Sequence, residues 1–316
     1  MRRGQSIPAN PQTAAGSRSK RYVLAGQALE AEPLPAGLYL VATPIGNLSD
    51  ITLRALATLA GADLIACEDT RVTRNLLTHY GIATPLAPYH DHNAAIARPK
   101  ILTRLAEGAA IALVSDAGTP LISDPGYKLV REAAAAGHMV TAIPGASSVL
   151  TAISSSGLPT DRFFFEGFLP ASAGKRQSRI AELAQIPATL VLFESGNRIS
   201  AALADLAAGL GSREAAVCRE LTKLHEEIRR GDLATLAAEA LQRETRGEFV
   251  IVIAPPAKAT EPTAAEAVDA LLRNALTRGS VKDAVDEVAA MTGLKRRDVY
   301  QRALALANDA GDDRAG

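Results

Sequence analysis

The sequence lacks tryptophan, has few aromatic residues of any kind and carries no net charge. Phenylalanine and tyrosine make up 4% of its 316 residues, and 34 lysines and arginines balance 34 aspartates and glutamates. So few aromatic side chains make a base-stacking platform for single-stranded nucleic acid unexpected. Zero net charge argues against a protein that holds nucleic acid by bulk positive charge. A nucleic-acid partner would therefore need a local basic patch.

Cysteine is also scarce, and long hydrophobic runs are absent. The two cysteines, Cys67 and Cys218, lie in apolar, strand-like stretches. Two buried thiols in a chain of this length favour a reducing, cytoplasmic environment over a disulfide framework. No apolar run approaches the roughly 18 residues of a transmembrane helix, so we expect no membrane association. None of the five histidines has metal-ligand spacing, and we predict no metal site.

The first 35 residues hold five basic residues and two acidic ones. Pro8 and Pro11 are incompatible with an amphipathic helix there. We expect residues 1–35 to be a disordered basic extension. A weak RNA-contacting arm is the alternative.

Short apolar segments alternate with segments of helical periodicity from Gly37 onward. In the first part of the chain this pattern predicts a mostly parallel sheet with helices on both faces. The pattern restarts after a Ser-, Gly- and Pro-rich stretch at 154–160, which predicts a second α/β domain. An Ala- and Leu-rich segment with helical periodicity follows. The predicted boundaries are 1–35 for the extension, 36–146 and 147–256 for the two α/β domains, 257–263 for a linker, and 264–316 for a helical appendage with an acidic tail.

The most unusual loop, Ser115–Gly126, follows a buried strand of the first domain. In an open parallel sheet, ligands bind outside the carboxyl ends of the strands. The two glycines allow backbone to approach a ligand closely, and the two prolines stiffen the loop. Asp116 and Asp124 can accept hydrogen bonds from ribose hydroxyls or an α-amino group. We predict a ligand-binding loop; the alternative is a tight turn with Asp124 capping the next helix.

Three further loops follow predicted strands of the first domain. Thr43–Asp50 contains a single glycine, so it is neither a dinucleotide-binding fingerprint nor a P-loop. Pro144–Ser148 exposes backbone N–H groups at the start of a helix, which suits a ligand packed against the chain. Glu68–Arg71, with Arg74 one helical turn later, places two carboxylates beside arginines that can hold phosphate. For this last loop, a helix start with its charges in solvent is the alternative.

Basic residues also follow strands of the second domain. Arg219–Lys223 ends one strand, and Lys175, Arg176 and Arg179 lie in a Gly- and Ser-containing segment. A mobile basic loop over 175–179 can contact RNA phosphates. A solvated surface loop is the alternative.

Together these motifs resemble the tetrapyrrole-methylase-like superfamily, in its branch of bacterial enzymes that methylate a cytidine 2′-hydroxyl of 16S rRNA. The resemblance runs from about Gly37 to Pro255. Porphyrinoid enzymes carry several glycines in the first loop and Gly-Asp-Pro in the second, whereas Thr43–Gly46 and Ser115–Ala117 match the rRNA branch. The motifs that carry the resemblance are Leu40–Asp50, Glu68–Arg71, Ser115–Gly126, Pro144–Ser148, Arg219–Lys223 and Gly247–Val252.

The resemblance implies two α/β domains with S-adenosyl-L-methionine in the cleft between them, and a homodimer. It implies a cytidine in the decoding region of 16S rRNA as the substrate, within the 30S subunit. By position it assigns the cofactor to Ile45, Asp116, Thr119, Ser147 and Ser148 and, in the second domain, to Phe193 and Ala254. Pro44, Gly118 and Pro120 of the same loops complete the predicted cofactor site. The basic residues predicted to contact RNA are Arg71, Arg74, Lys175, Arg176 and Lys223.

Methyl transfer to a ribose hydroxyl is an in-line displacement that requires positioned reactants and a base for the hydroxyl proton. Because no histidine is placed for this role, the candidate bases are the carboxylates Glu68, Asp69 and Glu220. Arg71 or Lys223 would hold phosphate or stabilise developing alkoxide. Two other functions stay open. One is methylation of a tetrapyrrole or a protein side chain by the same fold, and the other is a non-catalytic ribosome-assembly factor that binds RNA.

Overall fold

The computed structural model describes residues 20–243, 246–257 and 264–312. The chain divides into two compact units, with the first ending at Pro256 and the second beginning at Ala257. Residues 1–19 of the predicted extension, most of the predicted linker and the last four residues of the predicted acidic tail lie outside the described residues.

The described chain begins with a two-stranded antiparallel hairpin, β1 (Arg21–Leu24) and β2 (Gln27–Glu30). The prediction of disorder over 1–35 is therefore wrong for the hairpin. The reason is tertiary packing, since Tyr22 is buried in the core of the first sheet and Lys20 Nζ donates to the Asp63 carboxylate at 2.8 Å. These partners are remote in sequence, so local composition does not reveal them.

The first sheet is parallel, as the alternation of strands and helices predicted. Its strands are β3 (Gly37–Val41), β4 (Leu64–Cys67), β5 (Leu86–Pro88), β6 (Ala110–Val114) and β7 (Val140–Ile143). Its helices are α1 (Leu53–Gly61), α2 (Thr70–His79), α3 (Ala94–Ala106) and α4 (Tyr127–Ala135). The strand order is β5–β4–β6–β3–β7, with parallel neighbours throughout. The loops that follow these strands therefore gather along one edge.

Buried aliphatic residues cover both faces of the first sheet. Strands β4 and β6 are buried at every position, as expected for parallel strands between two helical layers. Tyr39 and Ile65 pack with α1 and α2 on one face. Leu38 and Ile111 pack with α3 and α4 on the other. This two-sided core fixes the strand ends that carry the loops of the site.

The second sheet is mixed, and most of its strand pairs are antiparallel. Its strands are β8 (Phe163–Phe168), β9 (Thr189–Ser195), β10 (Glu214–Arg219), β11 (Glu227–Asp232) and β12 (Glu248–Ile253). Its helices are α5 (Ser148–Ser156), α6 (Ala173–Leu183), α7 (Ile199–Leu210) and α8 (Leu233–Ala240). The order is β11–β10–β12–β9–β8; β8 and β9 are parallel and the other neighbours antiparallel.

The direction of β12 matters for the site. Because β12 runs antiparallel to β9, Glu248 at its start is paired with Ser195 at the end of β9. The first residues of β12 therefore lie at the same edge as the carboxyl end of β9. The end of β12, followed by Ala254, lies at the opposite edge.

The predicted mobile basic loop at 175–179 is instead part of helix α6. Its buried residues Arg176, Ile180 and Leu183 follow helical spacing, and the apolar pair packs in the core of the second sheet. The prediction of a loop is wrong because the many basic residues of this segment mask the helical spacing of its apolar residues in the sequence. Burial of these apolar residues stabilises the helix.

The described residues of the second unit form three helices, α9 (Ala264–Leu276), α10 (Val281–Thr292) and α11 (Arg296–Asp312). Its core includes Leu272, Val285 and Val299. Helix α10 ends at Gly293, whose left-handed backbone (φ +70°) allows a short turn into α11. The predicted helical appendage is confirmed. In the part of the chain that the structure describes, no helix combines the length and apolarity needed to span a membrane.

Replacing a fully buried strand residue should weaken the first unit far more than an exposed one. Ile65 on β4 is fully buried, whereas Ile96 on α3 is 69% exposed. Ile65→Ala should lower the free energy of unfolding by about 2–5 kcal/mol, because it removes buried methyl groups and leaves a cavity. Ile96→Ala should change it by less than about 0.5 kcal/mol. Urea unfolding followed by circular dichroism measures both; equal midpoints would contradict this account of the core.

Candidate functional site

A cleft of about 390 Å³ lies between the loops of the first sheet and the strand ends of the second. Asp116, Thr119 and Ser147 line it from the first sheet's side, and Phe193 and Val250 from the second sheet's side. This volume is in the range of pockets that enclose a small organic ligand. The cleft is therefore the candidate ligand site.

Two loops of the first sheet are joined by a pair of backbone hydrogen bonds. Thr43 N–H donates to the Gly118 carbonyl at 2.9 Å, and Gly118 N–H donates to the Thr43 carbonyl at 3.0 Å. Gly118 has a φ of +78°, and a Cβ there would lie 3.2 Å from Ile45 Cγ2. Glycine is therefore needed both for this backbone conformation and for close contact with the first loop.

The loop Ser115–Gly126 also contains strained backbone beyond its glycines. Leu121 (φ +75°) and Ser123 (φ +63°) adopt left-handed conformations that side-chain-bearing residues rarely occupy. Asp124 does not cap helix α4, because Gly126 holds the N-cap position without a side-chain hydrogen bond. The helix-cap alternative for Asp124 is therefore wrong. Strain of this kind concentrates at functional sites.

Asp116 connects the loop to the neighbouring strand end. Its Oδ1 accepts the backbone N–H of Asp69 at 2.9 Å, and Asp69 in turn begins helix α2 as its N-cap. The carboxylate is thereby fixed at the wall of the cleft, which it lines.

Three carboxylates at this edge differ in the acidity that their surroundings impose. The pKa of Asp124 is raised to about 6, chiefly by burial; a hydrogen bond with Ser115 opposes the rise, and the nearby charge of Asp116 adds to it. Burial likewise raises the pKa of Glu68, with Asp116 and Asp124 adding to the effect. Hydrogen bonds from the Arg71 side chain and backbone instead lower the pKa of Asp69 to about 2. Asp124 and Glu68 thus share an environment that favours protonation.

The opposite wall carries aromatic side chains. Phe193 at the end of β9 makes edge-to-face contacts with Phe165 and Phe168, with ring centroids 4.9 and 5.7 Å apart. Phe168 is 54% exposed at the rim of the cleft, which it lines. These rings offer an apolar surface for a flat ligand group.

The loop after β7 forms the base of helix α5 beside the cleft. Ser147 is the N-cap of α5, where its hydroxyl accepts the Leu150 N–H at 3.4 Å. Thr119 Oγ1 donates to the Ala146 carbonyl at 3.3 Å, so this loop contacts the loop after β6. Backbone N–H groups at such a helix start favour an anionic ligand group.

The segment after β10 is strained and held by ion pairs. Glu220 (φ +48°) and Thr222 (φ +65°) have left-handed backbone. Lys223 Nζ donates to Glu220 at 3.0 Å and to Glu248 at 2.8 Å. Although burial opposes it, hydrogen bonds from the Glu248 N–H and Lys223 leave the pKa of Glu220 lowered.

This segment also contacts the first loop. Asn47 N–H donates to Thr222 Oγ1 at 3.2 Å. A Cβ at Gly46 would overlap the Lys223 side chain and lie 3.1 Å from the Leu221 carbonyl oxygen. The loops of the two sheets therefore meet with no room for a side chain at Gly46.

The structure brings together seven of the ten predicted cofactor residues. Those that line the cleft are Ile45, Asp116, Gly118, Thr119, Ser147, Ser148 and Phe193. Pro44 and Pro120 are neighbours of lining residues, but they do not line it themselves. Ala254 lies at the far edge, because β12 runs away from the cleft. The prediction that Ala254 contacts the cofactor was wrong because the sequence does not reveal the direction of β12.

Fewer of the predicted bases and RNA-contacting residues than of the predicted cofactor residues line the cleft. Glu68, Asp69 and Glu220 border the cleft without lining it, whereas Lys223 lines it.

Of the predicted RNA-contacting residues, Arg74 and Lys175 are exposed, and the Arg71 side chain is 89% exposed and paired with Asp69. Arg176 is buried against Asp205, with Nη2 2.6 Å from the carboxylate, so its assignment to RNA is wrong.

From the sequence, no site role was assigned to four polar residues that line the cleft. Glu194, Ser195, Cys218 and Glu248 lie at strand ends of the second sheet. Glu194 is buried, and its carboxylate lies 3.2 Å from Arg198 Nη2. The position of Glu194 beside Phe193 at a strand end is a usable signal. No sequence signal identifies Glu248, because its position at the cleft depends on the antiparallel direction of β12.

The sequence matches two families of known proteins. Residues 37–237 match the Tetrapyrrole (Corrin/Porphyrin) Methylases, and residues 261–307 match the RsmI C-terminal HTH domain. The first match covers most of the two-sheet unit, and the second falls on helices α9 to α11.

Several relatives are named Ribosomal RNA small subunit methyltransferase I. The relative in Mesorhizobium japonicum is 48% identical over 91% of this chain and 98% of that protein. The one in Erythrobacter litoralis is 51% identical over 87% and 97%. The one in Pseudomonas aeruginosa is 44% identical over 84% and 96%.

Solved structures of similar fold include enzymes with other names. A cobalt precorrin-4 methyltransferase of cobalamin biosynthesis matches with a TM-score of 0.53 and 18% identity, over 69% of this chain and 94% of that one. A diphthine synthase matches with a TM-score of 0.54 and 16% identity, over 69% and 89%. At these identities the likeness concerns the fold alone.

Adding one methyl group at Gly46 should separate the two loops that meet there. Gly46→Ala should lower the free energy of unfolding by about 1–3 kcal/mol, because the Cβ would overlap Lys223 and crowd the Leu221 carbonyl. Gly174→Ala is the control, because a Cβ in α6 meets nothing within 4 Å, and it should be neutral or stabilising. Urea unfolding of both variants tests this; wild-type stability of Gly46→Ala would contradict the contact.

Proposed function

Because the chain belongs to the tetrapyrrole methylase family, and within it to the ribosomal RNA small subunit methyltransferase I group, we propose that it methylates the 2′-hydroxyl of a cytidine in 16S ribosomal RNA. The observation that carries the proposal is identity of 44–51% to relatives of that name over most of both chains. The 2′-hydroxyl and the decoding region as target come from the motif resemblance, in which Thr43–Gly46 and Ser115–Ala117 depart from the tetrapyrrole enzymes.

The cleft has the chemistry that S-adenosyl-L-methionine requires. This cofactor, when bound, supplies an electrophilic methyl group on a positively charged sulfur. The carboxylates Asp116 and Asp124 favour a cationic ligand, and the rings of Phe193 and Phe168 suit a flat adenine. The backbone N–H groups at the start of α5, beside Ser148, suit the carboxylate of its amino-acid part.

The protein's own residues position the reactants. The hydrogen-bonded pair between the loops after β3 and β6 holds Ile45 and Thr119 beside the cleft. Lys223, which lines the cleft and has two carboxylate partners, offers a cation at its edge for a phosphate of the RNA. Positioning of this kind supplies a large share of the rate in a displacement reaction.

Exposed basic residues near the first sheet's edge suit transient RNA contact. Arg74 on α2 and the 89%-exposed Arg71 beside it are placed at the carboxyl end of β4. We expect few phosphate contacts and thus a modest dependence of affinity on salt. We also expect a homodimer and the 30S subunit as the assembled substrate.

Transfer of a tritium-labelled methyl group from S-adenosyl-L-methionine to 30S subunits tests the proposed function. Wild-type protein should label the 16S rRNA of unmethylated subunits, with the label recovered on a cytidine ribose. Naked 16S rRNA in parallel reports whether the assembled particle is needed. Labelling of a tetrapyrrole or of ribosomal protein instead, or binding to subunits without transfer, would replace this proposal by one of its alternatives.

Calorimetry with S-adenosyl-L-methionine tests the cofactor separately from the RNA. Asp116→Ala should weaken binding by at least about tenfold, because it removes a wall carboxylate and releases the Asp69 N–H. Asp161→Ala, at an exposed position outside the cleft, should leave binding unchanged. Circular dichroism confirms that both variants are folded. Absence of heat with the wild type would exclude this cofactor, and equal affinity of both variants would remove Asp116 from the site.

A further inference from the structure

We propose that Asp124 is the catalytic base that takes the proton of the ribose hydroxyl, an inference that rests on the proposed function. Asp124 lies in the loop that was predicted to bind a ligand, whereas the bases predicted from the sequence are Glu68, Asp69 and Glu220. The contacts of the cleft favour Asp124 over these three and over the other carboxylates of the lining.

The carboxylates that line the cleft have different partners. Among the described lining residues they are Asp116, Asp124, Glu194 and Glu248. Asp116 accepts a backbone N–H with Oδ1, Glu194 is buried beside an arginine, and Glu248 is paired with a lysine. No lysine or arginine of the described residues forms a salt bridge with Asp124. It is the lining carboxylate most available to a substrate hydroxyl.

The three bases predicted from sequence are less suitable. None of them lines the cleft. Asp69 and Glu220 are held as anions by Arg71 and Lys223, so they accept a proton poorly. Glu68 lies among the same carboxylates as Asp124, but outside the lining.

The backbone around Asp124 is fixed rather than free to rearrange. Leu121 and Ser123 have positive φ, and Gly126 (φ +135°) would place a Cβ 2.9 Å from Leu113 Cδ2. A Cβ at Gly167 would come 3.1 Å from Ser123 Oγ, so the loop lies against β8 of the second sheet. Left-handed backbone is unfavourable for residues with side chains and persists only where the surroundings impose it. The carboxylate of Asp124 is thus presented to the cleft at a fixed place.

The acidity of Asp124 suits a base that works near neutral pH. Burial, and then the charge of Asp116, raise its pKa to about 6. At pH 7 such a group is mostly ionised, yet it binds a proton more strongly than an ordinary aspartate does. A base is most efficient when its pKa lies near the working pH.

The proposed step conserves atoms and charge. The Asp124 carboxylate takes the hydroxyl proton while the ribose oxygen bonds to the methyl carbon. The carbon–sulfur bond breaks, and its electron pair stays on sulfur, which becomes a neutral thioether. Asp124 then releases the proton to water, so that one proton leaves for each methyl group transferred.

The pH dependence of kcat/KM for methyl transfer to 30S subunits tests the proposal. Wild-type activity should fall as pH drops through about 6, because the base must be ionised. Asp124→Asn should lower kcat by about 10²–10⁴-fold and abolish this acid limb. Calorimetry should show that Asp124→Asn still binds S-adenosyl-L-methionine, weakened by no more than about tenfold because one of two wall carboxylates is neutralised, so that the loss of kcat exceeds the loss of binding. Asp124→Glu should retain the limb at reduced kcat, and it serves as the test if Asp124→Asn does not fold.

Glu68 provides the discriminating control. The groups that face Asp124 are Asp116 and Ser115 from its own loop and Glu68 from the end of β4. Glu68→Gln removes a neighbouring negative charge, so it should keep the acid limb and move it to lower pH. Loss of the limb in Glu68→Gln, or wild-type kcat in Asp124→Asn, would overturn the proposal. Absence of transfer by the wild type would overturn the proposed function, and this inference with it.

Discussion

The pair of backbone hydrogen bonds between Thr43 and Gly118 is the constraint on which the site depends. It joins the loop after the third strand to the loop after the sixth, two loops separated by more than 70 residues of chain. Peptide groups at both positions are satisfied without any ligand, so the wall of the cleft exists before a ligand arrives. The left-handed glycine at 118 makes the pair possible, and the loop around it carries Asp116 and Asp124 to the opening of the cleft. A preformed wall of this kind reduces the ordering cost of binding.

Much of the first sheet could be predicted from the sequence, because continuous apolar runs bounded by glycine and proline identify parallel strands directly. Parallel strands then place their following loops at one edge, which is why six of the seven predicted residues that line the cleft come from the first sheet. The second sheet could not be predicted in this way. Its antiparallel pairs set which end of β12 faces the cleft, and nothing local distinguishes Glu248 from Ala254 in that respect. The hairpin at Tyr22 and the burial of Arg176 also depend on contacts with residues distant in the sequence. The local sequence around each is polar and predicts an exposed segment.

The balanced net charge has a structural counterpart in the pairing of arginines with carboxylates. Arg179 reaches Glu166 through two nitrogens, and Arg302 reaches Asp269 in the same manner within the second unit. Such pairs stabilise the local geometry, and an arginine held in one of them is less available to bind a polyanion such as RNA. Among the described residues, the exposed cations at the carboxyl end of β4, near the cleft, are Arg71 and Arg74. For the proposed RNA substrate, we expect recognition to depend on shape and position more than on long-range charge attraction.

The strand order of the second sheet has a consequence for how the chain acquires its structure. Strand β12 is the last of the unit in sequence, yet it lies in the centre of the sheet between β10 and β9. Until β12 joins, each of those strands presents an open edge with unpaired peptide groups, and such edges invite association with other chains. Because the pairing of β12 with β9 joins residues more than 50 positions apart in the chain, this sheet should form slowly and late. A nascent chain stopped before Glu248 would have a complete parallel sheet and a second sheet divided in two, and it would be prone to aggregate.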